Sequence, residues 1–134
     1  MSIASTIAVS GLNAAALRLQ VAASNIANAL SGGPLPGVSN PENSPAAYTP
    51  LRVNQSDVVG GGTSATVGSI SPATISTFDP TAPYANADGF VASPNVDLAH
   101  EMIQLLIARI SYSANAQVIR ADAQMSAALL NITT

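Results

Sequence analysis

The sequence predicts a mainly α fold in which long N- and C-terminal helices pair into a coiled-coil-like core around a small, irregular β-rich insert. Three observations carry this reading. Apolar residues recur at helical spacing at both ends of the chain. All nine prolines fall between Pro34 and Pro94 and eight of the nine glycines between Gly32 and Gly89, so the middle cannot be helical. After Pro94 neither residue type occurs again. The chain divides accordingly into an N-terminal helix (1–30), a Pro/Gly-rich loop and hairpin insert (31–91) and a C-terminal long helix (92–134).

The first helix is expected from about Ile3 to Leu30, with Ser2 as its cap. One stripe runs Val9, Leu12, Ala16, Leu19, Ala23, Ile26, Leu30 and another Ile3, Ile7, Ala14, Leu17, Val21, so the helix is apolar on two sides. Alanine dominates both stripes. It favours helix and close approach but buries little area per residue, which makes the helix marginal alone. Gly11 is the weak point, costing about 1 kcal/mol relative to alanine in a helix interior.

Within the insert, the stretch from Ser31 to Pro50 carries five prolines and reads as an extended loop. Leu51–Val59 and Ala65–Ile70 are rich in β-branched residues and flank Gly60-Gly61-Gly62, which predicts a hairpin. A third short strand is expected over Thr74–Phe78, followed by a turn-rich stretch to Gly89. So small a ribbon needs something to lean on.

The last helix is expected from Asn95, as cap, to Ile132. Leu98, Met102, Leu105, Tyr112, Ala116, Ile119, Ala123 and Leu130 form one stripe. Ile103, Ile107, Ile110, Ala114, Val118, Ala121, Met125 and Leu129 form a second, so the apolar arc is wider than one coiled-coil seam. At 1.5 Å per residue this helix would run about 55 Å, too long for a compact domain of this size to bury. The excess must meet other chains or water.

Composition points the same way. Only 8% of the residues are charged, against roughly 25% in an ordinary soluble domain. Such a surface suits burial against neighbours in an assembly. With no lysine, four arginines and a net charge of −3, the chain lacks the basic patch that nucleic acid or an anionic membrane requires. Zero cysteines exclude disulfides and thiolate metal sites. The first basic residue is Arg18, inside the apolar pattern, so no Sec signal peptide is expected, and no apolar run is expected to be long enough to span or insert into a membrane.

No catalytic, cofactor or metal site is expected. His100 is the only histidine, has no second ligand or triad partner, and reads as a solvated first-turn residue. Gly60-Gly61-Gly62 lacks the lysine and helix of a phosphate loop. Met102 and Met125 read as core or interface fillers, and Arg109 and Arg120, with Asp122, as partners in intersubunit ion pairs.

Two motifs carry a resemblance. Gly11-Leu12-Asn13-Ala14 followed by Val21-Ala22-Ala23-Ser24-Asn25-Ile26-Ala27-Asn28-Ala29 resembles the N-terminal signature of bacterial flagellar rod and hook proteins. Gly89-Phe90-Val91, Pro94-Asn95-Val96-Asp97, Glu101-Met102 and Ser111-Tyr112-Ser113-Ala114-Asn115 resemble the C-terminal signature of the same family, in the right order. The middle matches loosely, at Tyr48 and between Phe78 and Gly89. Leu30-Ser31-Gly32-Gly33 replaces the usual Asn-Thr-x-x-Gly turn, and Ile110 stands where an arginine often precedes the Ser-Tyr pair. Length and the brief insert are similar to those of a small proximal-rod subunit. The resemblance implies a structural subunit of the periplasmic drive shaft, exported unfolded by the flagellar type III apparatus. Its partners would be copies of itself, other rod subunits and the adaptor at the rod base and export gate. A non-flagellar helical filament, such as an injectisome inner rod, would share the amphipathic ends but not both motifs. A membrane-active helix would carry Lys and Arg on its polar face, which is missing here.

The expected helix-packing set is Leu12, Leu19, Asn25, Ile26, Asn28, Asn95, Met102, Leu105, Tyr112, Asn115 and Ile119. Among these, Asn25 and Asn28 lie three apart, and Tyr112 and Asn115 repeat that spacing on the other helix. These polar groups are expected to hydrogen-bond across helices and fix register. In the isolated chain the termini are expected to be partly disordered, gaining order with assembly.

Overall fold

A computed structural model describes residues 2–37 and 44–132; Pro41 of the expected loop lies outside them. Helix α1 spans Ile3–Ala27 and helix α2 Leu98–Ile132. Between them run β1 (Leu51–Asp57), β2 (Thr63–Ser69), β3 (Thr74–Phe78) and β4 (Phe90–Pro94).

Helix α1 starts where Ser2, in an extended conformation, accepts the backbone N–H of Ser5 on its hydroxyl. It ends three residues before the expected Leu30. Asn28 turns its amide back onto the Ser24 carbonyl, and the Ser31 hydroxyl donates to the Asn28 carbonyl, so side chains satisfy groups that another turn would have used. Leu30 is left 95% exposed beyond the end. By length and composition alone, α1 reaches the range of helices that can cross a membrane, contrary to expectation. Isoleucine, leucine and valine supply most of that hydropathy, and one face of the helix packs on α2.

Helix α2 begins at Leu98, not at Asn95. Asp97 is the residue whose carboxylate accepts the N–H groups of Ala99 (3.0 Å) and His100 (3.3 Å). Asn95 is taken up by the chain before β3: its backbone N–H donates to the Ala73 carbonyl and its amide to the Pro72 carbonyl. Both residue types cap well. The tertiary contact of Asn95 leaves the helix end to Asp97.

The hairpin expected around the three glycines forms, with β1 and β2 antiparallel from Leu51↔Ser69 to Asp57↔Thr63. Gly60, Gly61 and Gly62 all adopt positive φ. The tip also lies against α1. A Cβ at Gly61 would stand 2.8 Å from the Ile7 Cδ1, and one at Gly62 2.6 Å from the Ser10 Oγ, which accepts the Thr63 N–H. Strand β3 pairs not with this hairpin but with β4, which the sequence reading missed, from Thr74↔Pro94 to Phe78↔Phe90. The ribbon is extended by Gly33, which exchanges two backbone hydrogen bonds with Ala92. The long-helix segment expected from residue 92 therefore starts inside a strand.

The two helices pack antiparallel, Ser5 meeting Asp122, Gly11 meeting Asn115 and Asn25 meeting Glu101. Their buried apolar residues are small: Ala8, Ala14, Ala15, Ala22 and Ala108, with Val21. The largest fully buried side chains are Asn25 and Pro50. With so little apolar area buried, polar contacts carry an unusual share of the tertiary specificity.

Replacement of Asp97 by Ala should weaken the start of α2 by about 1 kcal/mol, whereas Asn95→Ala should leave α2 helicity intact. Urea unfolding followed by helical circular dichroism distinguishes the two.

Candidate assembly interface

The most deeply buried point of the helix pair is an amide. Asn25 on α1 is fully buried. Its Nδ2 donates to the Leu51 carbonyl (2.7 Å) and to the Glu101 carboxylate (2.8 Å). Its Oδ1 accepts the Tyr48 hydroxyl (3.0 Å) and the Leu51 N–H (3.0 Å). Both donors and both acceptor positions of the amide are used, and Leu51 fixes the orientation, because only an oxygen can take its N–H. As the Tyr48 proton points at Asn25, the Ser24 hydroxyl donates to the Tyr48 oxygen at 3.1 Å. One side chain thus joins α1, the end of the proline-rich loop, β1 and α2. Glu101 is itself buried, and no buried side-chain polar atom lacks a partner among the described residues.

Two further contacts continue the seam toward the N-terminus of α1. At Gly11, a Cβ would stand 2.6 Å from the Asn115 Oδ1, so the glycine read as a weak point is the space into which Asn115 fits. Asn115 donates to the Ser111 carbonyl of its own helix at 2.8 Å and presents its amide to that space. Near the end of α1 the Ser5 hydroxyl donates to the Asp122 carboxylate. Hydroxyl groups of Ser2 and Ser5, in that order of effect, hold the Asp122 pKa below its ordinary value. Asp122 is engaged within the chain, where the sequence reading gave it an intersubunit ion pair.

On α2 the seam is therefore Glu101, Ala108, Asn115 and Asp122, seven residues apart at each step, with Ser111 between. None of these belongs to either apolar stripe. The stripes flank the seam, and most of their large residues face outward: Met102, Ile103, Ile110, Tyr112 and Val118 are between 44% and 62% exposed, as is Leu106 beside them. Where small residues meet, at Ala15, Ala16 and Ala108, they leave an apolar groove of about 360 Å³, walled by Leu19 and Tyr112. Beyond Asp122, α2 continues for ten residues past its contact with Ser5, carrying exposed Met125, Leu129 and Ile132.

Of the residues expected to pack, Asn25 anchors one end of the seam. Leu12, Ile26, Leu105 and Ile119 are half-buried at its edges, and Leu19 and Tyr112 border the groove. Met102 faces outward. Asn28 closes the end of α1, Asn95 ties down the strand ribbon, and Asn115 bonds within its own helix, so among the described residues the cross-helix bonds expected of Asn28, Tyr112 and Asn115 are not made. The sequence reading missed the roles of Tyr48, Glu101, Gly11 and Ser5. The heptad spacing of Glu101, Ala108, Asn115 and Asp122 was visible, but a polar heptad does not register in a search for apolar periodicity. His100 is exposed and pairs with Gln104 at 3.2 Å. Among the described residues no cluster of His, Cys, Asp or Glu could hold a metal ion.

Comparison with known proteins adds an independent finding. Residues 6–29 match the model of the flagella basal body rod protein family, and residues 87–132 that of the flagellar basal body rod FlgEFG protein C-terminal region. The chain is 33% identical over 135 residues to the flagellar basal-body rod protein FlgC of Agrobacterium fabrum, covering 98% of this chain and 94% of that one. It is 38% identical over 117 residues to the protein of the same name in Escherichia coli O6:H1, covering 84% and 83%, and 37% identical with the same coverage to that of Salmonella typhimurium. The two matched regions coincide with most of α1 and with β4 and α2, the elements that build the seam.

Asn25→Ala should cost about 3 kcal/mol, because it strands the Glu101 carboxylate and both backbone groups of Leu51; Tyr48→Phe, which removes one hydroxyl, should cost about 1 kcal/mol. Urea titration of each variant reads the difference. The depressed Asp122 pKa contributes stability that is present above the unfolded value near 3.8 and is lost as pH falls through the folded value. The protection of amides around Ser5, relative to their intrinsic exchange rates, should therefore fall on acidification below pH 4, and Asp122→Asn should remove that pH dependence.

Proposed function

The chain belongs to the flagellar basal-body rod protein family and is a structural subunit of the bacterial flagellum; on that premise we propose that it builds the proximal part of the rod and transmits torque from motor to hook. Membership of this family separates it from the injectisome inner rod and implies assembly with other rod components in the basal body.

The observation that carries the finer reading is the division of labour on the helices. A narrow seam of small and polar residues closes α1 on α2, while large apolar side chains stand on both flanks. In water such flanks are a liability; against the helices of neighbouring subunits they supply the buried area that the chain cannot provide for itself. We read the seam as one strand pairing of a coiled-coil-like core and Asn25, Glu101, Gly11 and Asn115 as its register markers. A slip of one heptad would put Asn25 opposite Ala108 and deprive one N–H of its amide and the Glu101 carboxylate of each other, at about 1–3 kcal/mol each. Leu12, Leu19, Ile26, Met102, Leu105, Tyr112 and Ile119 then pack between subunits.

Torque transmission follows from the geometry of such an array. Contacts between different faces of identical or related subunits do not close on themselves and generate a helical shaft. Many helix contacts in parallel, each held in register by polar groups, resist shear. No step of this role needs a cofactor. Passage through the type III export apparatus, docking at the rod base and a periplasmic location belong to the same proposal, and a marginal alanine-rich core suits a chain that travels unfolded.

Electron microscopy of basal bodies from an in-frame deletion strain tests the assignment. The expected result is a membrane ring without rod or hook, and non-swimming cells, both restored by the intact gene. A complete, rotating flagellum in the deletion strain would overturn it.

A further inference from the structure

A second surface lies apart from the apolar flanks. Among five basic side chains in the whole sequence, three line one pocket of about 120 Å³ between α1, β1 and the start of α2: Arg18, Arg52 and His100. Its floor is aliphatic, with Val21, Val53 and Ile70. Glu101 also borders it, but this carboxylate is buried and engaged by Asn25. The two guanidinium groups therefore leave the pocket net positive. Arg18 donates to the neutral Gln55 at 2.9 Å, and among the described residues neither Arg18 nor Arg52 has an acidic partner. In a chain with so few charges, two uncompensated guanidinium groups at one aliphatic-floored pocket call for an anionic, partly apolar occupant.

The chain itself presents such a group. At the far end of the β3–β4 ribbon, about 13 Å from Thr74 and Pro94 at 3.3 Å per residue, Phe78 and Phe90 pair edge to face with centroids 5.4 Å apart. Phe78 is 63% exposed. Next to the rings, Asp79 and Asp88 flank the turn, with Asp79 and Gly89 hydrogen-bonded across the ladder end. Asp79 is held ionised by Thr81, whose hydroxyl and N–H both donate to its Oδ1, while Asp88 is exposed. Two acidic residues and two aromatic residues at one tip match two guanidinium groups at an aliphatic-lined pocket, with arginine able to bind the acids and stack on the rings.

We propose that the β3–β4 tip of one copy docks in the Arg18–Arg52–His100 pocket of a second copy, Asp88 and Asp79 meeting the guanidinium groups. The contact joins two different surfaces and so propagates, which adds a lateral link outside the helical core. It rests on the rod reading above and names the partner surface that the insert provides.

The absence of cysteine makes the test direct. Ala87→Cys, at the tip, and Gln104→Cys, on the pocket wall, are placed in separate copies and co-expressed in the deletion strain, and basal bodies are treated with a short bis-maleimide. The expected result is a covalent dimer when both variants are present and none with either alone. Basal bodies that contain both variants and rotate, yet give no dimer, would overturn the contact while leaving the rod assignment in place. Charge reversal covers the case in which the cysteine variants do not assemble. Asp88→Arg should cut swimming by about tenfold or more through like-charge contact with the pocket, and Arg52→Asp in the same gene should restore it. Normal swimming of Asp88→Arg, or failure of the second change to restore it, would overturn the proposal.

Discussion

Everything in this small chain is referred to the amide of Asn25. A core built on alanine cannot fix the relative position of two helices, because small side chains interlock weakly and many offsets bury similar area. A fully buried amide with four partners on three other elements admits one arrangement. The proline-rich loop is held through Tyr48, the hairpin through Leu51 and the second helix through Glu101. Removing the amide would weaken all three attachments together.

Specificity and adhesion are thereby separated. The seam from Glu101 to Asp122 spends its positions on small or polar groups, which select a register but bury little. Large apolar residues sit on the flanks, where within a single chain much of their surface stays exposed. That distribution is a poor design for a stable monomer and suits a rod subunit, which has neighbours to assemble with. The close approach of the glycine tip to Ile7 and Ser10 serves the same economy, tying the hairpin to α1 without a large core.

The insert contributes more than a spacer. Its two ribbons do not form one sheet; one braces α1 and the other launches α2 from a strand whose last residue is Pro94. The β3–β4 stem carries the paired aromatic rings and two carboxylates at its tip, while two of the chain's four guanidinium groups, Arg18 and Arg52, line one pocket between α1, β1 and α2. Charges this few are informative by position, since none is needed merely to keep an ordinary surface solvated.

The two long helices, the hairpin at the three glycines and the family were legible in the residues themselves, because helical and strand periodicities and the glycine and proline positions are local properties of a chain. So was the need for partners, from stripes too wide for one seam. Tertiary structure alone decided which face closes the helix pair. The apolar stripes were the natural choice, yet the seam runs between them, where Asn25 and Glu101 satisfy each other and Asn115 fills the space over Gly11. It also decided that Asp97 caps α2 in place of Asn95, and that β3 takes Phe90–Pro94 as its partner. In each case two local candidates were chemically equivalent. A hydrogen bond to a residue distant in sequence, such as that from Asn95 to the Pro72 carbonyl or from Asn25 to Glu101, made the choice between them, and no local pattern records it.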